Sequence, residues 1–128
     1  NYLLLGVLME KASGKFYGDI LKERVFSPLG MTTARINTET ELVANRASGY
    51  QLRGGSWKNQ GYVPPTVNTY ADGSVIMSVR DMAKWDIALY TDKPFSKTTR
   101  EQMWTPAKLT DGKTTDYGFG WQIGQRNG

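Results

Sequence analysis

The feature that most constrains this chain is YLLLGVLMEKA, residues 2–12, where no charged residue occurs before Glu10. A segment this apolar around its whole circumference predicts a helix buried on every side, with Gly14 as its C-terminal stop. It does not read as a signal peptide, which needs a basic region ahead of its apolar run. Ala12-Ser13-Gly14 imitates a cleavage site, but Glu10 and Lys11 separate it from the leucines. Tyr2 to Met9 is also far short of the roughly 20 apolar residues a membrane-spanning helix requires. The expectation is therefore a helix in the interior of something larger than these 128 residues.

Composition narrows the chemistry. At 39% hydrophobic and 22% charged residues, the chain has an ordinary balance for a folded protein. It contains neither cysteine nor histidine. That excludes disulfides, thiol catalysis, thiolate or imidazole metal ligation and any triad built on histidine within these residues. No metal and no cofactor is implied, and the redox compartment stays undetermined. The net charge of +4 comes from basic residues scattered singly between Lys11 and Arg126, without a run. A nucleic-acid binder concentrates such residues on one face, so a solvated basic surface is the better reading.

A second helix is predicted over 16–26. Tyr17, Ile20, Leu21 and Val25 recur at helical spacing, with Asp19, Lys22, Glu23 and Arg24 turned outward. Ser27-Pro28 ends it, because proline disfavours the helical region for the residue before it. From Thr32 to Asp72 glycines and prolines break the chain into short extended pieces such as ASGYQL and GYVPP, with one weak hairpin. Loops this long tend to be functional.

Order resumes at SVRDMAKWDIALY, residues 78–90, with Ser78 as N-cap and Asp81 at the capping-box spacing. Met82, Trp85 and Leu89 form its apolar stripe, flanked by Ala83, Ile87 and Tyr90. A shorter helix is predicted over 97–104, closed off by Pro106. YGFGWQIG then alternates, placing Tyr117, Phe119, Trp121 and Ile123 opposite Gly118, Gly120, Gln122 and Gly124. This predicts a strand over 117–123 with a bare face that something approaches closely. Trp85 and Trp121 read as core. The organisation expected is a single partial domain over 1–128: a helical pair (1–31), a long loop with short strands (32–77), helices (78–106), and a loop with a sheet strand (107–128).

NYLLLGVLMEKASGKFYGDILKERVFSPLGMTTARI resembles the stretch that follows the Tyr-x-Asn motif of the serine β-lactamase-related hydrolases: class C β-lactamases, D-alanyl-D-alanine peptidases and related esterases. ADGSVIMSVRDMAKW, MWTPA and YGFGWQI are similar to further segments of that family, in the family's order. The resemblance implies an α-rich piece of an α+β fold: the helical domain of the β-lactamase/transpeptidase-like fold, with one C-terminal strand of its sheet. It implies hydrolysis of a β-lactam, a D-Ala-D-Ala peptide or an ester through an acyl-serine, with a small-molecule substrate and a periplasmic or secreted location. The family's nucleophile lies in Ser-x-x-Lys, which sets a lysine amine one helical turn from the hydroxyl.

None of Ser13, Ser27, Ser48, Ser56, Ser74, Ser78 or Ser96 has a lysine three residues on, and no Tyr-x-Asn occurs. GKTT, ending at Thr115, imitates the family's third motif only poorly and reads as a solvated turn. No catalytic residue is therefore assigned. By resemblance, Tyr70, Asp72, Gly73 and Ser74 border the substrate cleft; equally, Asp72-Gly73 reads as a turn ahead of the Ser78 helix. Asp72 and Ser74 stand where alanine and glycine are common in the family. Trp57 and Tyr62 could stack on a ligand or tuck under their own loop. The partners implied are the remainder of the hydrolase fold and further copies of the chain. The alternative is a non-catalytic basic, aromatic or self-associating module.

Overall fold

The computed structural model describes residues 1–38, 40–60 and 71–124. Helix α1 runs Tyr2–Ser13 and stops at Gly14, whose φ of 67° is left-handed and whose N–H donates to the Glu10 carbonyl at 2.8 Å. Glycine enters that conformation without a Cβ clash, as the sequence led us to expect. Helix α2 (Tyr17–Leu21) starts at once and continues as a π-helical turn over Lys22–Phe26. Its own N-cap, Phe16, offers no side-chain acceptor; instead the Glu10 carboxylate of α1 accepts from the Tyr17 N–H at 3.1 Å. Lys15 and Glu23 add an exposed ion pair across the connection at 2.5 Å. The lysine holds the Glu23 carboxyl below its ordinary range.

Strands β1 (Arg35–Ile36) and β4 (Val75–Ile76) pair antiparallel, with Arg35 opposite Ile76 and Ile36 opposite Val75. Between them in sequence, β2 (Tyr50–Arg53) and β3 (Ser56–Asn59) form a hairpin turned by Gly54 and Gly55. Both glycines have positive φ, 56° and 73°, as the two-residue turn with the correct hairpin twist requires. The hairpin stands clear of the core, and Trp57 is 73% exposed, so it does not tuck under its own loop. GYVPP and Tyr62 lie outside the described residues.

Helix α3 (Val79–Leu89) and helix α4 (Lys97–Met103) follow, each with a serine N-cap accepting from a backbone N–H. Arg100 ties their connection together. Its guanidinium donates to the Thr91 carbonyl and to Asp92, and lies 6.0 Å from the centre of the Trp104 ring. Among the described residues the buried apolar ones are Tyr17, Ile20, Phe26, Met31, Ile36, Ala88 and Leu89. They come from α2, the π turn, the turn at Met31, β1 and the last turn of α3. The outward set on the second helix, Asp19, Lys22, Glu23 and Arg24, is exposed as its spacing implies.

Three sequence expectations are qualified or corrected. First, the described residues alone do not bury α1 on every side: Leu4 is 64% and Leu8 61% exposed, and only Gly6 is fully buried. The expected burial therefore rests on the larger fold around these 128 residues. Nothing among the described residues covers that flank. Second, Trp85 and Trp121 are half-buried, and Met82, Ala83, Ile87 and Tyr90 of α3 are exposed. Each tryptophan meets one ring edge-on: Trp85 with Phe95 at 5.9 Å, Trp121 with Trp104 at 6.2 Å. Third, residues 117–123 are not a continuous strand. Tyr117 pairs with Gln122 of the same segment, the Gly118 N–H donates to the Trp121 carbonyl at 2.8 Å, and Gly120 turns the chain at φ 80°. A strand needs a neighbour for its backbone groups, and none of β1–β4 lies alongside.

One part of that expectation does hold. The bare position at Gly118 faces a close approach: a Cβ there would clash with the Met103 carbonyl oxygen, at the end of α4. The neighbouring Phe119 N–H donates to the same oxygen at 2.9 Å. Gly118→Ala is therefore expected to destabilise the intact protein by about 2–3 kcal/mol, the range for forcing a methyl into closed space. Gly124→Ala, where a Cβ meets nothing within 4 Å, should be near neutral. Urea midpoints of the two variants check this; equal midpoints would show that the Gly118 contact yields readily.

Candidate functional site

Tyr2 and Gly6 lie one helical turn apart on α1 and so face the same way. Two turns of chain converge on them. A Cβ at Gly6 would lie 3.0 Å from the Ala71 Cβ, so glycine lets the 71–73 turn seat against the helix. A Cβ at Gly120 would come 3.7 Å from the Tyr2 hydroxyl. The neighbouring Tyr2 hydroxyl, with partial loss of hydration, raises the Tyr117 phenol above its ordinary value. The opening turns of α1 therefore carry a phenol pair and two glycine-lined turns.

The residues expected from sequence fall unevenly around this place. Tyr70 lies outside the described residues. Asp72 is exposed in a turn and Gly73, at φ 97°, makes that turn possible. Ser74 is different. It is 1% exposed, and its carbonyl accepts from the Asn37 N–H at 2.7 Å just ahead of β4. A serine so enclosed anchors the base of the turn, and its hydroxyl is not offered to solvent. Asp72 and Gly73 thus form a turn whose exposed tip is Asp72.

The second polar cluster was only half legible in the sequence. Ser78 Oγ accepts from the Asp81 N–H at 3.3 Å, as the capping spacing requires. The reciprocal arm is indirect, because the Ser78 N–H donates to Thr33 Oγ1 at 3.0 Å. The Thr33 hydroxyl and Thr33 N–H both lie within hydrogen-bond reach of Asp81 Oδ2, at 2.5 and 2.6 Å. Lys84 Nζ closes the cluster, donating to Asp81 Oδ1 at 2.8 Å and to the Gly30 carbonyl. Asp81 is 1% exposed. The Lys84 and Thr33 hydrogen bonds hold its carboxyl far below the ordinary carboxylate range, against the opposing effect of burial. Thr33 is the residue that sequence reasoning missed, since no local spacing links it to a helix 45 residues later.

This carboxylate is held ionised by three donors, so it is unsuited to proton transfer near neutrality. The cluster clamps the 30–33 turn onto α3. Other serine hydroxyls are likewise engaged in capping: Ser13 donates to the Met9 carbonyl at 2.6 Å and Ser96 accepts from the Thr99 N–H at 3.2 Å. None of Ser13, Ser78 or Ser96 has a lysine or tyrosine side chain as its partner, so none is activated as a nucleophile.

These features can be set beside known proteins. Penicillin-binding protein 4* of Bacillus subtilis is 34% identical over 134 residues, a match covering 96% of this chain and 30% of that protein. A D-aminopeptidase of Brucella anthropi is 28% identical over 130 residues, covering all of this chain and 24% of its own length. Among solved structures, the penicillin-binding protein from Bacillus halodurans superposes with a TM-score of 0.75 at 27% identity, covering 98% of this chain and 39% of that one. The octameric penicillin-binding protein homologue from Pyrococcus abyssi gives 0.71 at 32% identity, covering 93% and 28%. The chain thus shares the β-lactamase/transpeptidase-like fold and spans about a quarter to two fifths of the length of these relatives. Since the family model Beta-lactamase matches residues 1–128 throughout, the chain belongs to the beta-lactamase family of penicillin-binding, serine-hydrolase-related proteins.

Proposed function

We propose that this chain forms the helical flank of a serine hydrolase that cleaves β-lactams, D-Ala-D-Ala peptides, D-amino acid amides or esters through an acyl-serine. The nucleophile is supplied from outside these 128 residues. The observation that carries this is the absence of any Ser-x-x-Lys or Tyr-x-Asn from a chain that otherwise follows the family throughout. In such chemistry a serine oxygen attacks the carbonyl, the amine or alcohol leaves with a proton, and water then releases the acyl group. The contribution of this flank is positioning. Asp72 and Gly73 border the cleft, with Asp72 as the exposed tip, while the buried Ser74 supports the turn from behind. The names of two relatives, a penicillin-binding protein and a D-aminopeptidase, support the substrate classes.

The intact protein should be labelled stoichiometrically by a fluorescent penicillin, with the adduct on a serine of a Ser-x-x-Lys outside residues 1–128. An adduct on any serine within them would overturn the proposal. The Asp72→Ala variant should change KM for a D-amino acid amide by severalfold with little change in Tm, because the side chain is exposed in its turn. An unchanged KM would remove Asp72 from the cleft border.

A second reading, self-association, concerns the 128-residue polypeptide by itself, in which Leu4 and Leu8 of α1 are uncovered. Bare apolar surface marks an interaction face, and one structural relative is described as octameric. Light scattering of that polypeptide decides it: a monomer at all concentrations would refute it.

A further inference from the structure

Glycine is among the least favourable residues for a helix interior. Gly6 nevertheless stands within α1, between Leu5 and Val7, and is the buried residue of that helix. Its bare face is taken up by the 71–73 turn. A Cβ at Gly6 would lie 3.0 Å from the Ala71 Cβ and 3.3 Å from the Ala71 nitrogen. Both distances are tighter than ordinary van der Waals contact, so one side would have to give by a few tenths of an ångström.

The turn is held on both sides of its tip. Ahead of the tip, Ala71 rests on Gly6. Behind it, Ser74 is 1% exposed, its carbonyl accepts from the Asn37 N–H at 2.7 Å, and β4 then pairs with β1. Asp72 and Gly73 lie exposed between these two anchors, with Gly73 at a φ of 97°. A displacement at Ala71 has little room to be absorbed at Ser74, because close-packed interiors transmit strain. Helix α1 is also restrained from retreating, since its Glu10 carboxylate accepts from the Tyr17 N–H at 3.1 Å. The displacement therefore passes to the exposed tip.

We propose that Gly6 is a positioning residue for substrate binding: lacking a Cβ, it sets, through Ala71, how the Asp72 tip is presented to the cleft. The proposal rests on the reading that this turn borders the cleft. Gly6 itself is buried beneath the turn and acts only through it.

The test uses the intact protein and its acylation by a fluorescent penicillin, resolved into half-saturating concentration, limiting rate and fraction labelled. Gly6→Ala should raise the half-saturating concentration severalfold, well short of the roughly hundredfold that a misplacement of about 1 Å can cost. Its limiting rate and labelled fraction should stay near those of the wild type. Ala71→Gly removes the methyl from the other side of the contact, loosening the seat without a clash, and should raise the half-saturating concentration by less. Combining the two leaves a single methyl in the contact, so the double variant should fall back toward the wild-type value. A merely structural role would lower Tm and the labelled fraction and leave the half-saturating concentration of the folded enzyme unmoved. If Gly6→Ala fails to fold, Ala71→Gly and the double variant still decide the question. Asp72→Ala, measured alongside, tests the cleft border by itself. A shift for Asp72→Ala with none for Gly6→Ala overturns this proposal alone, and no shift for either overturns both readings. A Gly6→Ala shift that Ala71→Gly does not correct also overturns the proposal.

Discussion

A polypeptide consisting of residues 1–128 is expected to take up no fluorescent penicillin and to hydrolyse neither a chromogenic cephalosporin nor a p-nitrophenyl ester above the solvent rate. Enzymatic rates exceed uncatalysed ones by six or more orders of magnitude, so this is the largest effect predicted for the chain. The reasoning is chemical. A serine hydroxyl is a weak nucleophile unless a base sits within about 2.6–3.2 Å, and no serine here has lysine at the next helical turn. Histidine is absent. Where the structure describes serine partners, they are backbone groups and neighbouring threonines, as at Ser13, Ser78 and Ser96. Supplying the remaining segments of the hydrolase should bring labelling back. Stoichiometric uptake of the probe by the 128-residue polypeptide, mapped to one serine, would show that a nucleophile was missed.

The second large effect concerns Asp81. Asp81→Ala in the intact protein should lower Tm by roughly 10 °C, as expected when a hub of several buried hydrogen bonds is removed. The Thr33 N–H, the Thr33 hydroxyl and the Lys84 ammonium each lose an acceptor, and a buried donor without a partner costs more than the bond contributed. Asp81→Asn should lose less, because its amide oxygen still accepts from Thr33. Thr33→Val should fall between, cutting the link between Ser78 and Asp81.

The pH dependence follows from the lowered carboxyl. A carboxylate whose folded pKa lies below its unfolded value stabilises the fold fully above the unfolded value, about 3.9 for aspartate. That contribution declines as pH falls below about 4 and vanishes once the folded carboxyl is itself protonated. The wild-type advantage over Asp81→Asn should therefore be constant from pH 8 to about pH 5 and shrink below about pH 4. An advantage that grows on acidification would show that the carboxyl is not held ionised.

These two cases mark what can be read locally. The Ser78–Asp81 cap was legible because both ends lie within one turn of chain, and the same holds for the Gly14 stop. Thr33 was not, since its role exists only after the chain returns from β4 to begin α3. Asp72 and Gly73 were legible as a turn from composition. Ser74 was placed beside the cleft by resemblance; in the structure it lies buried just ahead of β4, which pairs with β1.

The helices, the Gly14 stop, the Ser78 cap and the family are local properties, because each depends on neighbours within a few positions or on a run of residues in fixed order. The path of 117–122 depends on distant partners. Alternation marks which residues could share a face, but a strand exists only if another backbone takes its hydrogen bonds, and here the Gly118–Trp121 turn takes them instead. The tertiary structure also decided which apolar residues are covered. Leu4, Leu8 and Trp57 are as apolar as Ile20 and Phe26, yet only the latter pair meets enough of the fold to leave water. Apolarity sets how much a side chain gains from burial; where the rest of the chain packs decides whether it is buried.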